Sequence, residues 1–136
     1  MSDMKTGLGN TGTDYGANDP RPKRTVEYSK TECTHVLLYD SINDSGRLFG
    51  GRLVSWIDVA AGACAMRHTG YKMTTASIDN LTFKRGAFLT YVAIDENGKP
   101  LEIPYGLDVR TVEEKARWDG ALLRKEYRNS RKDMGF

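Results

Sequence analysis

A single acidic residue interrupts the longest apolar stretch of this 136-residue chain. The run from Leu53 to Met66 places Asp58 among side chains that are otherwise almost all apolar or small. A helix of that composition is apolar on nearly every side, which is typical of a buried helix and unusual for a surface helix. The pattern therefore predicts a central helix that carries one carboxyl group inside the fold.

The side chains that share a helical face with Asp58 offer it no cation. Val54, Ser55, Ala61 and Gly62 lie three or four residues away, so no ion pair within the helix compensates the charge. A buried carboxylate without a partner is costly, and its pKa is expected to be raised. Two interpretations follow: the group is a general base or nucleophile, or it is a core acid hydrogen-bonded by another segment.

Glycines mark both ends of this helix. The pair Gly50-Gly51 is expected to open it, the helix runs to about His68, and Gly70 is placed to end it. Backbone N–H groups at the first turn of a helix have no partner within the helix, and the helix dipole is positive there. The start of the helix is therefore a candidate site for a developing negative charge.

Three segments predict β-strands. Residues 31–39, 72–83 and 87–95 are rich in β-forming residues and alternate in part between polar and apolar side chains. Residues 40–46 form a turn-rich loop ahead of the helix. Three strands are too few to cover a helix that is apolar all round. Either other chains complete its burial, or part of the sheet is missing.

The length predicts one folded domain, at residues 26–110, with a segment on each side. Residues 1–25 contain too few large apolar side chains to order themselves and are expected to form a flexible tail. Residues 111–136 are expected to form a C-terminal surface helix and tail, with a plausible capping box at its start. The cations near its end are expected to face solvent, and no nucleic-acid partner is predicted: Arg124, Lys125, Arg128, Arg131 and Lys132.

The two cysteines, Cys33 and Cys64, make no disulfide framework, and both are expected to be buried thiols in the cytoplasm. The chain shows no apolar core of a signal peptide and no stretch long enough to span a membrane. No Cys, His and carboxylate set has metal-ligand spacing, so no metal is predicted. His35 and His68 are expected to be structural, His68 because a cation is favoured at a helix C-terminus.

The stretch from Asn43 to Asp58 resembles the signature of hotdog-fold acyl-CoA thioesterases, most closely the cytosolic acyl-CoA hydrolases. Residues 67–68, 75–83 and 87–100 are similar to the same branch, so the resemblance covers roughly residues 25 to 116. It implies an α+β hotdog fold, in which an antiparallel sheet wraps around a long buried helix. It also implies hydrolysis of acyl-CoA to a free acid and CoA without a cofactor. The expected assembly is a homodimer with shared active sites, and often a trimer of dimers.

The resemblance also implies roles for individual residues. Asp58 would act as general base or nucleophile, and the Gly50 N–H at the helix start would polarise the thioester carbonyl. Asn43 would position the water or the carbonyl, although an asparagine in this loop is also typical of a local turn. Further residues are candidates for contacts with the substrate, the basic ones with the CoA phosphates: Phe49, Gly51, Arg67 and Lys72.

One departure from the family pattern is large. Family members carry a longer segment, with further strands, between the strand ending near Phe83 and the strand that begins at Ala87, whereas Lys84-Arg85-Gly86 bridges them here. A sheet without its middle strands should expose the helix and weaken the dimer. If residues are missing from the printed sequence rather than from the protein, the backbone should be broken between Phe83 and Phe88.

Three other functions stay open. A non-catalytic acyl-CoA-binding or regulatory hotdog protein would keep the pocket and tolerate the loss of Asp58 or Asn43. A hotdog dehydratase or hydratase normally pairs a histidine with an acid, and no histidine lies between Asn43 and Gly51. A structural oligomer would use Asp58 only as a satisfied core acid.

Overall fold

The computed structural model describes residues 19–83 and 86–135 of the chain. Three helices, four strands and a short 3-10 turn at Tyr39–Ser41 follow one another in an α+β arrangement. The elements are β1 Lys23–Thr25, α1 Val26–Ser29, α2 Gly50–Thr69, β2 Lys72–Thr82, β3 Gly86–Ile94, β4 Gly106–Asp108 and α3 Val112–Asp133. Strand β1 lies within the range expected for the N-terminal tail, and residues 1–18 of that range lie outside the described residues.

Helix α2 has the bounds that its glycines predict. It begins at Gly50 and ends at Thr69, and Gly70 follows in the left-handed conformation with φ 76°, its N–H donating to the Met66 carbonyl at 2.8 Å. The Arg24 guanidinium donates to the carbonyls of Arg67 and His68 at 3.0 and 2.7 Å. Because the last carbonyls of a helix lack partners within it, this contact fastens β1 to the end of α2.

Strands β2 and β3 form an antiparallel hairpin, which we call the ribbon. Its register runs from Lys72 opposite Ile94 to Thr82 opposite Gly86, with irregularities after Thr75 and after Asp79. No further strand separates β2 from β3 in the described ranges. The predicted break between Phe83 and Phe88 centres on residues 84 and 85, which lie outside the described residues.

The segment 31–38, predicted as part of a strand, is not a strand. No described strand lies beside it to accept its backbone hydrogen bonds, and its end is open to solvent, with Val36 78% and Tyr39 97% exposed. Cys33 is likewise exposed, not buried as expected. The segment lies against α2 through His35, whose ring stacks on Trp56 with centroids 4.2 Å apart and planes at 3°.

The central position of α2 agrees with the sequence, but its burial within one chain is incomplete. Among the described apolar residues only Ala93 is fully buried, at 1% exposure. Val59 and Met66 of α2 are exposed, and most other helix residues are half-buried. The cause is the shortage of strands, because a ribbon of two strands covers one side of a helix and leaves the rest uncovered.

Helix α3 is held to the ribbon by charged side chains. The predicted capping box is present: the Thr111 hydroxyl accepts from the Glu114 N–H, and the Glu114 carboxylate accepts from the Thr111 N–H. Arg128 donates to Asp79 at 2.7 Å, and the Arg124 guanidinium lies 3.6 Å from the centre of the Phe88 ring. Two of the cations expected to face solvent therefore anchor α3 to the ribbon.

Loss of the contact between Arg128 and Asp79 should destabilise the protein more than loss of an exposed pair. Both side chains are mostly covered, at 22% and 14% exposure. We expect Arg128→Ala to lower the free energy of unfolding by about 1–2 kcal/mol, since it leaves a covered carboxylate without its nearest cation. Lys115→Ala removes the exposed pair with Asp119 and should cost no more than about 0.5 kcal/mol. Urea unfolding measures both, and equal effects would contradict the anchoring role.

Candidate active site

Two hydroxyl groups from the ribbon hold the Asp58 side chain. The Thr75 Oγ1 and the Tyr91 Oη each lie 2.7 Å from Asp58 Oδ1, and both donate to it. Thr75 and Tyr91 are directly opposite each other in the register of β2 and β3. Side chains of such a pair project from the same face of a ribbon, here the face toward α2. The Asp58 carboxylate thus accepts hydrogen bonds from two hydroxyl groups that are brought together by the pairing of β2 with β3.

The position of Tyr91 depends on a small residue of the helix. Its ring lies against Gly62, one turn after Asp58, where an added Cβ would stand 3.6 Å from the ring. From there the phenol also comes within 2.6 Å of the Asp58 backbone carbonyl, so its one proton is shared between two acceptors of the same residue. Thr75 and Tyr91 were not predicted as site residues, because nothing in a single sequence states which residues of two strands face each other.

The hydrogen bonds from Tyr91 and, second, from Thr75 hold the pKa of Asp58 below its ordinary value. The expectation of a raised pKa is therefore wrong: the helix is only partly buried, and the ribbon supplies donors that the helix lacks. Burial and the bond to Asp58 raise the pKa of Tyr91 to about 12, so the phenol keeps its proton at neutral pH.

Only one oxygen of the Asp58 carboxylate accepts hydrogen bonds from the described residues. Both hydroxyls bind Oδ1, and Oδ2 has no hydrogen-bond partner within residues 19–83 and 86–135. The core-acid interpretation predicted donors from another segment, and such donors are present. Yet an ionised carboxylate with one oxygen fixed and the other unengaged is also oriented to accept a proton from water or to attack a carbonyl.

The two glycines at the start of α2 lie close to aromatic rings. An added Cβ on Gly50 would stand 3.0 Å from the Phe83 ring, and one on Gly51 would stand 2.7 Å from the Phe49 ring. The N–H groups of Gly50 and Gly51 donate to no acceptor in the described part of the chain. They are free donors at the positive end of the helix dipole.

Asn43 lies in the exposed loop before α2 and makes a local turn. Its Oδ1 accepts from the N–H groups of Ser45 and Arg47, both at 3.0 Å. This is the Asx-turn arrangement that the sequence left open as the alternative to a catalytic role. Its Nδ2 makes no hydrogen bond with the described residues, so the amide donor remains available.

The predicted site residues do not all come together within one chain. Phe49, Gly50 and Gly51 lie at the start of α2, and Asp58 lies about 12 Å further along at 1.5 Å per residue. At the other end, Arg67 lies in the last turn of α2, and Lys72 begins β2 just after the helix. The Arg67 guanidinium donates to the Lys30 carbonyl at 2.8 Å, whereas the Lys72 side chain makes no hydrogen bond or ion pair within the described ranges.

The same end of α2 contains a neutral pair rather than the cation expected at His68. His68 Nδ1 and Ser29 Oγ are 2.7 Å apart. Burial and the neighbouring Arg24 lower the pKa of His68, which therefore stays uncharged at neutral pH. Arg24 provides the positive charge that the helix C-terminus favours.

A cleft of about 540 Å³ opens between α1, α2, the ribbon and β4. Tyr91 forms part of its wall, so the cleft adjoins the Asp58 cluster. The described residues contain no group of three or more His, Cys, Asp and Glu side chains placed to hold a metal ion. None of the described helices is long and apolar enough to cross a membrane.

The family model described as Thioesterase superfamily matches residues 45–94, which include Asp58, Thr75 and Tyr91. A curated relative from Bacillus subtilis, the uncharacterized acyl-CoA thioester hydrolase YkhA, is 28% identical over 155 aligned positions, covering 83% of this chain and 89% of the relative. Because the alignment is longer than the 136 residues of the chain, the relative contains residues that this chain lacks. This agrees with the departure seen in the sequence.

Two solved structures are also similar. An apo-hexameric acyl-CoA thioesterase is 29% identical with a TM-score of 0.72, over 82% of this chain and 97% of the other. An acyl-CoA hydrolase from Staphylococcus aureus, in complex with butyryl coenzyme A, coenzyme A and coenzyme A disulfide, is 27% identical with a TM-score of 0.69, over 84% of this chain and 92% of the other.

Removal of the Tyr91 hydroxyl should make Asp58 easier to protonate. A carboxylate whose pKa is lowered in the folded state adds stability above its ordinary pKa, and this is lost as the pH falls through the lowered pKa. We expect Tyr91→Phe to raise the Asp58 pKa toward its ordinary value, measured by NMR titration. The variant should lose more stability at neutral pH than at a pH below the ordinary aspartate range. Tyr39→Phe, at an exposed tyrosine, is the control, and an unchanged Asp58 pKa in Tyr91→Phe would contradict the assignment.

Proposed function

We propose that this chain, which has the hotdog fold, is a member of the thioesterase superfamily that hydrolyses the thioester of acyl-CoA to a free carboxylic acid and CoA. The observation that carries the proposal is the Asp58 carboxylate, ionised and oriented by Thr75 and Tyr91 within the matched segment. The names of the similar proteins support the substrate class.

The chemistry is assigned to Asp58 Oδ2. As a general base, it takes a proton from water while the oxygen of that water adds to the thioester carbonyl. The tetrahedral intermediate then expels the CoA thiolate, which takes up a proton and leaves as the thiol. As a nucleophile, the same oxygen attacks the carbonyl, CoA leaves, and water hydrolyses the mixed anhydride. The lowered pKa suits both routes, because each begins from the ionised carboxylate.

Two copies of the chain are proposed to share each site. The N–H groups of Gly50 and Gly51 suit the oxyanion of the intermediate, but they lie about 12 Å along the same helix from Asp58. One reacting carbonyl must come within about 3 Å of both the nucleophile and the oxyanion donors. Gly50 of one copy would therefore serve Asp58 of the other. Asn43 belongs to the loop that leads into Gly50, so its free amide would join the same shared site.

Incomplete burial supports the oligomer. Several large apolar side chains on α2 and on the segment before it are exposed to solvent, although a folded monomer would normally bury them. Examples are Leu37, Phe49 and Val59. A similar solved structure is a hexamer. We propose a homodimer with shared active sites, assembled further into a trimer of dimers.

Four further residues are proposed to contact the substrate. Gly51 would offer its N–H to the substrate, and the Phe49 ring lies against Gly51. Arg67 and Lys72 would hold CoA phosphates. Lys72 precedes Met73 of the cleft wall and therefore projects to the other face of β2, which leaves the cleft itself free of these cations.

The proposal also covers the domain boundaries of the chain and its cellular compartment. Residues 26–110 would form the catalytic domain, with residues 1–25 as a tail and residues 111–136 as a C-terminal helix and tail. A cytoplasmic location suits the two free cysteines.

Replacement of Asp58 by asparagine should greatly slow turnover without unfolding the protein. The amide oxygen still accepts from Thr75 and Tyr91, but the ionised oxygen is gone, so we expect kcat/KM to fall by about 10²–10⁴-fold. The measurement is hydrolysis of an acyl-CoA panel, with Asp119→Asn on α3 as control. Tight acyl-CoA binding without turnover in wild type would instead favour the non-catalytic binding protein.

Sharing of the site predicts rescue between two inactive variants. Asn43→Asp keeps the oxygen that makes the local turn and removes the amide donor, and Asp58→Asn removes the carboxylate. In a mixed dimer one of the two sites has both native residues. Random mixing should therefore restore about a quarter of wild-type activity. Absence of rescue, in mixtures shown by native mass spectrometry to contain mixed dimers, would contradict the shared site.

A further inference from the structure

The cleft beside the Asp58 cluster has the chemical character of a site for an alkyl chain. Its wall is mainly apolar and includes residues of five elements, α1, α2, β2, β3 and β4. Representative apolar residues are Ala61, Ala65, Met73, Leu89 and Leu107. Its volume of about 540 Å³ lies in the range of pockets that hold small ligands, roughly 300–1,000 Å³. Among the described residues, no Lys, Arg, Asp or Glu side chain lines it.

The cleft continues from the reactive carboxylate. Ala61 and Ala65 follow Asp58 by three and seven residues, so the three residues lie on one face of α2. Tyr91 touches both regions, with its hydroxyl on Asp58 and its ring in the cleft wall. A thioester whose carbonyl lies at Asp58 could therefore send its acyl chain directly into the cleft.

The far end of the cleft is uncharged. It is formed in part by Ser29 and His68, which are hydrogen-bonded to each other at 2.7 Å. Since their polar atoms are already paired, this end offers no free charge to a carboxylate or an ammonium group on the ligand. A plain hydrocarbon end fits it better than a polar one.

The length of the cleft indicates a chain length. Asp58 and His68 are ten residues apart, about 15 Å along the helix. An extended saturated chain advances about 1.25 Å per carbon, from a C–C bond of about 1.5 Å with staggered torsions. We propose that this cleft binds the acyl chain of the substrate, and that it selects saturated fatty acyl-CoA of about twelve carbons over short acyl-CoA. The proposal rests on the proposed function and names the substrate class for that site.

The first test fills the cleft at a residue that takes no part in the chemistry. Ala65→Phe should lower kcat/KM for dodecanoyl-CoA at least about tenfold and leave acetyl-CoA and butanoyl-CoA within about twofold. Val112→Phe places the same side chain at an exposed position at the start of α3, outside the cleft wall, and should leave the chain-length profile unchanged. A wild-type preference for acetyl-CoA, or equal losses at all chain lengths in Ala65→Phe, would overturn the proposal while leaving the thioesterase function standing.

The second test needs no turnover. Cys64 lies in the cleft wall, and its burial raises the pKa of the thiol, so it reports on what covers the wall. In a Cys33→Ser background, modification of Cys64 by N-ethylmaleimide is followed by mass spectrometry. The probe is dodecyl-CoA thioether, which cannot be hydrolysed, with ethyl-CoA thioether as control.

The dodecyl compound should slow modification of Cys64 at least about fivefold, and the ethyl compound should not. If the dodecyl compound protects Cys64 but the protein shows no turnover, the cleft binds an alkyl chain and the proposed thioesterase function is wrong. Equal rates with both compounds would overturn the proposal. A Cys64 that is unreactive with and without ligand would do the same, because the cleft would then be covered by protein, such as a second copy of the chain.

Discussion

The hydrogen bonds from Thr75 and Tyr91 to Asp58 join the central helix to the ribbon, and the arrangement of the site depends on them. They offset the cost of an acid in an apolar helix, keep it ionised and occupy only one of its oxygens, since Oδ2 has no hydrogen-bond partner among the described residues. They also require the register that places Thr75 opposite Tyr91. A shift of one residue in either strand would move a hydroxyl to the other face of the ribbon. Local electrostatics and strand pairing therefore support each other.

The short ribbon is the second constraint. Two paired strands cover one side of α2, and three other features follow from what they leave open. The cleft beside Tyr91 stays accessible, the segment 31–38 lacks a strand to pair with, and apolar side chains of the helix remain exposed. A chain with so little buried apolar surface would gain stability from association with other copies. The same association would bring Gly50 of one copy to Asp58 of another. The incomplete burial of α2 would then account for both the assembly and the completed active site.

The sequence predicted correctly those helix ends that depend on residues close by in the chain. Gly70 ends α2 because a left-handed residue is needed there, and Thr111 with Glu114 starts α3 through its own side-chain bonds. The strand predicted at 31–39 failed because a strand needs a partner distant in sequence. The raised pKa predicted for Asp58 failed for a related reason, since its donors come from residues 17 and 33 positions away. The roles of Asn43, Arg67 and Lys72 stay predictions, because each depends on a molecule or a copy outside the single chain.

The sequence by itself determined a central apolar helix with one acid, its glycine ends, and the motif shared with thioesterases. These follow from residue type and spacing along one segment, which folding does not alter. Only the tertiary structure decided which hydroxyls reach Asp58, which of its oxygens stays open, and where the cleft lies. Those depend on the register between β2 and β3 and on the side of α2 that they cover. The physical reason is that hydrogen bonds and cavities form between residues distant in the sequence, so a pattern along one segment does not specify them.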